Sequence, residues 1–303
     1  MDDSATETAA LRVAVLGPGG VGGLLAGLLA RAGHDVLCIA RDSTAEILRA
    51  EGVHVRSGMF GEFTARVSAD TALREPVDLC FVTVKHTALD DGLERVSAEA
   101  LGDGLIIPLL NGVEHPQALR ERYRPELVVP GVIRVEATRL QPGVIVHTSP
   151  FADIELASGT ASRRRMEAAA QVLAGAGFGS RVRDDEGEML WAKMGFLAPT
   201  ALLTTRYMQT VGEIRTEHGA ELSAAIAEVA AVAGACGAKL DPARIEGFFR
   251  AVQADMKSSM LRDAEAGRPI ELDAIGGSVL RAAALHGVPV PVFTELVLRL
   301  SSR

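Results

Sequence analysis

Only four of the 31 basic side chains in this 303-residue chain are lysines: Lys85, Lys193, Lys239 and Lys257. Arginine is the default cation here, so each lysine raises the question of what a guanidinium could not do in its place. The chemical answer is to titrate, because an ammonium taken out of water can lose its proton near neutral pH and a guanidinium cannot. Lys193 has the most suggestive setting. The run Met189-Leu-Trp-Ala-Lys-Met-Gly-Phe-Leu197 surrounds it with apolar residues at helical spacing, beside the single tryptophan. A partly desolvated lysine of this kind can protonate an alkoxide as hydride reaches a carbonyl carbon. The same pattern also describes a lysine that lays its stem on an apolar surface and keeps its head in water.

A second set of polar residues lies in Ser258-Ser-Met-Leu-Arg-Asp-Ala-Glu-Ala-Gly-Arg-Pro-Ile-Glu-Leu-Asp273. Gly267-Arg-Pro269 must interrupt any helix, which leaves Glu271 at or near the start of a new one with Leu272, Ile275 and Val279 on its apolar face. A carboxylate is favoured at a helix start without any function. On composition alone, that plain reading stands beside a catalytic one.

The elements that position such residues begin with Leu11-Arg-Val-Ala-Val-Leu16, Gly17-Pro-Gly-Gly-Val-Gly22 and Leu24-Leu-Ala-Gly-Leu-Leu-Ala30. These read as buried strand, glycine turn and apolar helix, followed by a second strand at Val36-Leu-Cys-Ile-Ala40. In this context the G-x-G-x-x-G pattern predicts a dinucleotide site. Gly17 permits the sharp turn, Gly19 the approach of a pyrophosphate, and Gly22 the packing of helix on strand, with free amides at the helix start facing the phosphates. Gly20 and Val21 complete the loop. At the end of the second strand, where NAD binders usually carry a carboxylate for the ribose, this chain has Arg41. A guanidinium there suits the 2′-phosphate of NADP, although Asp42 follows and can reach a ribose.

Composition narrows the remaining classes. A hydrophobic content of 48% excludes disorder, and a formal net charge of −8 argues against nucleic acid or an anionic membrane as partner. The leader Met1-Asp-Asp-Ser-Ala-Thr-Glu7 is acidic, has no apolar core, and reads as neither signal peptide nor anchor. The three cysteines, Cys38, Cys80 and Cys236, read as buried thiols of a cytoplasmic protein. The seven histidines lack the paired spacing of a metal site, so no metal is expected.

The first half alternates apolar runs with helical patterns, as a parallel sheet covered by helices requires. Leu79-Cys-Phe-Val-Thr-Val84 and Leu105-Ile-Ile-Pro-Leu-Leu110 read as buried strands ending at Lys85 and at Asn111-Gly112. Such strand ends are where open α/β sheets bind ligands. Residues 128–156 read as antiparallel strands that finish the sheet. From about Arg183 the pattern is helical, at Met189–Leu203, Gly212–Cys236, Arg244–Met256 and Leu272–His286. The expected fold class is therefore α/β: a Rossmann-type, mostly parallel sheet domain over 11–182, followed by an all-helical domain over 183–303, with a small substrate between them. The helical faces either pair into a homodimer or are consumed internally.

With these pieces in order, the chain resembles the ketopantoate reductases (2-dehydropantoate 2-reductases) over nearly its whole length. The matching elements are the glycine loop with Arg41, Val82-Thr-Val-Lys85, Leu110-Asn-Gly112, Trp191-Ala-Lys193, Ser258-Ser-Met-Leu261, Glu271-Leu-Asp273 with Gly276-Gly277, and His286-Gly-Val-Pro289. The resemblance implies NADPH-dependent reduction of a 2-oxo acid, a step of pantothenate biosynthesis. It further implies Lys193 as general acid, Glu271 holding the nicotinamide ribose or orienting Lys193, and Asn111 fixing the nicotinamide end. Ser259 would bind substrate, while Lys85 and Arg41 would line the adenine side. In the family, asparagines that hydrogen-bond ketopantoate follow the lysine. At the corresponding spacings this chain has Leu197, Ala201 and Val211, the first two on the lysine's helix face. Aliphatic groups there imply a less polar 2-oxo acid, unless Thr200, Thr204 or Thr205 supply the hydroxyls. An imine reductase on the same frame and a non-catalytic NADP-binding sensor are the alternative functions.

Overall fold

The computed structural model describes residues 10–302, so the acidic leader discussed above lies outside the described residues. Two compact units divide the chain. One holds the described residues up to Leu110 together with Pro116–Asp184, and the other holds Asn111–His115 together with the chain from Asp185 onward.

The first unit begins with β1 (Arg12–Leu16), α1 (Gly20–Arg31), β2 (Asp35–Ile39), α2 (Asp42–Glu51), β3 (Val53–Ser57), β4 (Gly61–Ala65), β5 (Ser68–Asp70) and β6 (Leu79–Val82). It continues with α3 (Leu89–Leu93), α4 (Ala98–Leu101), β7 (Leu105–Pro108), α5 (His115–Arg122), β8 (Gly131–Arg134), β9 (Ala137–Gln141), β10 (Val144–His147), β11 (Asp153–Leu156), α6 (Arg163–Gly175) and β12 (Gly179–Val182). Five strands form an all-parallel sheet in the order β5-β2-β1-β6-β7. The chain order reverses between β1 and β6, which makes the ends of those two strands the ligand-binding point of a doubly wound sheet. Alternate residues of β1 feed two cores, Val13 and Val15 on one face and Ala14 and Leu16 on the other. Covering on both faces explains why these strands read as continuous apolar runs.

Residues 128–156 follow the sequence expectation only in part: β8 pairs antiparallel with β11, and β9 with β10. They do not finish the five-stranded sheet as antiparallel strands; they build two further, mixed sheets, β4-β3-β10-β9 and β12-β11-β8, with β10 parallel to β3 and β11 parallel to β12. The physical reason is α1, which is apolar around most of its circumference and needs cover on two sides. It packs on β1 and β2 and also against β3, β9 and β10. Gly23 and Gly27 bring that second sheet close, since side chains there would meet Ile145 and Val55.

The second unit is helical: α7 (Glu186–Tyr207), α8 (Val211–Glu217), α9 (Gly219–Ala235), α10 (Pro242–Ala251), α11 (Ser259–Glu265), a π-helical turn at Asp273–Gly277, α12 (Ser278–His286) and α13 (Pro291–Ser301). The helix expected over Gly212–Cys236 is broken at His218, and the one expected over Arg244–Met256 stops at Ala251. The caps account for the starts: Asp185 accepts from Glu188 N, Thr210 and Glu213 form a reciprocal capping box, and Asp241 precedes Pro242. Pro199 lies within α7 without ending it, because the flanking residues are locked into the core and Thr200 donates to Phe196 O at 2.6 Å.

Candidate active site

The glycine loop forms where the chain leaves β1. Gly17 adopts φ +85°, a left-handed conformation that favours glycine. The Thr83 hydroxyl at the end of β6 donates to Leu16 O at 3.0 Å and Gly17 O at 2.9 Å, tying the two strand ends of the switch point together. A side chain at Gly22 would meet both Thr83 Oγ1 and Gly17 O, and one at Gly20 would meet Ala137 O. Gly19 is different, because a Cβ there would make only an ordinary contact with Gly17 O at 3.9 Å. It sits at the N-cap of α1, where no side chain caps the first turn and no acidic residue occupies it. Uncapped amides, the positive end of a twelve-residue helix and an open approach fit a pyrophosphate.

Arg41 follows β2 as the N-cap residue of α2. It is exposed, and no hydrogen bond or ion pair among the described residues engages its guanidinium. The backbone just before it is held by Arg95, whose Nη1 donates to Ala40 O at 3.2 Å and Thr71 O at 3.0 Å. Lys85 is exposed at the end of β6, at the start of a single 3-10 turn. Cys38 and Cys80 lie inside the sheet with thiols pushed up to about 12 by burial, which removes them from thiolate chemistry. Cys236 is only half buried, contrary to the expectation of three buried thiols.

In the second unit, residues 160 positions apart meet: Asn111 Nδ2 donates to Glu271 Oε2 at 2.9 Å. Both are half-buried. Gly112 adopts φ +90° and lies against the carbonyl of Ala274 in the π-turn, so the Asn111 segment is seated directly on the element that follows Glu271. Isolated π-turns inside helices recur at functional sites because they reorient backbone and side chains locally.

Lys193 is half-buried on α7, a helix that packs against both the π-turn and α11. Leu197, one turn further, is also half-buried, whereas Ala201 and Val211 are fully buried at 0% exposure in the helical core. The assignment of Ala201 to the substrate is therefore corrected: a side chain with no accessible surface packs the core. The threonine hydroxyls are likewise buried. Thr204 donates to Thr200 O at 2.7 Å, so Ser258 donates to Thr204 Oγ1 at 2.7 Å while capping α11. Ser259, the candidate substrate residue, is the first residue of α11 and is exposed.

Both halves of the chain match a known family. The sequence profile "Ketopantoate reductase PanE/ApbA" matches residues 13–160, and that for the C-terminal part of the same family matches residues 187–302. The chain belongs to the ketopantoate reductase family. A 2-dehydropantoate 2-reductase of Caulobacter vibrioides is 29% identical over 294 residues, covering 96% of this chain and 98% of the relative. An uncharacterized oxidoreductase of Bacillus subtilis, YkpB, is 29% identical over 290 residues, covering 93% and 95%. The crystal structure of a 2-dehydropantoate 2-reductase from Geobacter metallireducens superposes with a TM-score of 0.88 at 27% identity, covering 96% of this chain and 99% of that one.

As a member of that family the chain is an oxidoreductase, and the uncapped glycine loop of the first unit fits the pyrophosphate of a dinucleotide. Sequence reasoning missed two residues that shape the strand ends of the first unit: Thr83 and Arg95. Thr83 had a signal, a lone hydroxyl in an otherwise apolar strand. Arg95 had none, because arginine is the common cation of the chain.

Proposed function

We propose that this reductase uses NADPH to reduce a 2-oxo acid to the 2-hydroxy acid, with 2-dehydropantoate as the default substrate. The observation that carries the reading is the Asn111–Glu271 hydrogen bond, which joins two family motifs beside the helix bearing Lys193. When bound, the nicotinamide supplies hydride to the carbonyl carbon. Lys193 gives the developing alkoxide its proton. Glu271 holds the nicotinamide ribose or orients Lys193, and Asn111 fixes the nicotinamide end. Ser259 binds the substrate. The loop of Gly17, Gly19, Gly20, Val21 and Gly22 holds the pyrophosphate on main-chain amides. Arg41, with no competing carboxylate on its guanidinium, meets the 2′-phosphate, and Lys85 lines the adenine side.

Leu197 favours a narrower version of this reading. It follows the lysine by one helical turn, is half-buried, and offers no hydrogen bond to a substrate hydroxyl. Leaving that hydroxyl unpaired costs about 1–3 kcal/mol, which makes a 2-oxo acid with an aliphatic side chain the alternative to ketopantoate as substrate. The test is initial-rate NADPH oxidation across ketopantoate and its unhydroxylated analogues, with NADH as control. Turnover of any of these acids with NADPH preferred supports the reductase reading, and equal efficiency with and without the hydroxyl removes the narrower one. Silence across the panel sinks both.

A further inference from the structure

The Asn111–Glu271 pair has a parallel brace one step outside it. Arg281 on α12 donates through Nε and Nη2 to the two carboxylate oxygens of Glu114, at 2.8 and 2.7 Å. Its Nη1 reaches Asp273 Oδ1 at 2.7 Å, and its Nη2 reaches Asp273 Oδ2 at 3.2 Å and Asp273 O at 3.3 Å. Glu114 lies three residues after Asn111, and Asp273 two residues after Glu271. One planar guanidinium therefore grips both segments that carry the pair, with the forked geometry that arginine provides and lysine does not. The glycines take part as well. A side chain at Gly277 would meet Asp273 Oδ1 and Arg281 Nη1, and one at Gly112 would meet Ala274 O. Gly277, conspicuous in the sequence beside Gly276, thus leaves room for the brace.

We propose that Arg281, with Glu114 and Asp273, is a positioning residue that sets the Asn111–Glu271 geometry for the reaction. The inference rests on the functional reading of that pair. The brace adds only modestly to folding, because its three side chains are about half exposed or more, at 47%, 44% and 68%, and solvent screens such pairs even in a forked geometry. A small misplacement of a reacting constellation, in contrast, costs rate heavily.

The test is a double-mutant cycle read in kcat, KM for NADPH and KM for the best 2-oxo acid. Arg281→Met should keep the wild-type fold and melting temperature while losing roughly 10- to 100-fold in kcat/KM. In an Asn111→Ala background the same substitution should cost less than about twofold, because the group it positions is gone. Arg281→Lys should recover only part of the loss. Glu114→Gln, which weakens the other arm, serves as the second variant if Arg281→Met does not fold. Unchanged kcat/KM in Arg281→Met, or an equal loss in both backgrounds, overturns the proposal. If Asn111→Ala itself is without kinetic effect, the functional reading of the pair falls, and the positioning role falls with it.

Discussion

On the function proposed above, the glycine loop of the first unit and the helical site of the second recognise their ligands by different means. In the loop, the groups offered are main-chain amides at the start of α1, and the shape is set by the left-handed Gly17, the open Gly19 and the Thr83 hydroxyl across the switch point. In the helical site, the groups offered are side chains, Lys193, Asn111 and Glu271, drawn from three separate segments. A main-chain site tolerates substitution of side chains but not a change of backbone volume. A side-chain site has the opposite sensitivity.

Lys193→Ala should break this comparison most visibly. The maximal rate is expected to fall about a hundredfold or more, the usual worth of a positioned acid, while NADPH still binds to the first unit. Steady-state kinetics with fluorescence titration of NADPH measure both, and normal turnover would remove the lysine from the mechanism. Gly22→Ala forces a methyl group against Thr83 and the Gly17 carbonyl, and should destabilise the protein by about 1–3 kcal/mol while weakening NADPH. Gly19→Ala has room and should stay within about 1 kcal/mol of wild type in stability, yet still obstruct the pyrophosphate. Thermal unfolding beside cofactor titration separates the two, and equal melting temperatures would contradict the packing argument.

Arg41→Ala should weaken NADPH roughly 10- to 100-fold, as loss of charge-assisted hydrogen bonds worth about 1.5–3 kcal/mol implies, and leave NADH nearly unchanged. A parallel loss for both cofactors would place the arginine elsewhere than at a 2′-phosphate.

The smallest effect concerns a buried charge away from either site. Glu155 on β11 is almost fully covered and sits among Arg134 at 3.1 Å, Arg183 at 3.8 Å and Arg181. Burial alone pushes its carboxyl up, but the arginines outweigh it and hold it below the ordinary range. A depressed carboxylate contributes stability that is complete above its unfolded value of about 4.3 and is lost as pH falls through the lower folded value. Glu155→Gln should therefore cost about 1–2 kcal/mol at pH 7 in urea unfolding, with the difference from wild type closing toward pH 3. A difference that persists in acid would point to packing instead of charge.

Legibility followed the same division. The strand, glycine turn and helix over residues 11–31 were readable because their determinants are contiguous, and a helical region after Arg183 was readable from its periodicity. The small sheets were misassigned, because α1 shows in sequence that it is apolar but not that a second sheet covers it. Within the helical unit, spacing put Leu197 and Ala201 on one face with Lys193, yet only Leu197 keeps accessible surface. Periodicity gives a face and not its depth, which depends on what packs against it.

By itself the sequence determined the local devices: the turn at Gly17, the apolar helix after it, Arg41 where a carboxylate usually stands, and the lysine in an apolar helix. These depend on backbone sterics and on residues within one or two turns of each other. The tertiary structure decided which distant side chains meet. Asn111 on Glu271, Thr83 across the loop carbonyls and Arg281 gripping Glu114 and Asp273 each depend on where packing brings segments far apart in the chain. Hydrogen bonds act over about 3 Å, a precision that hydrophobic patterning does not carry and close-packed cores supply.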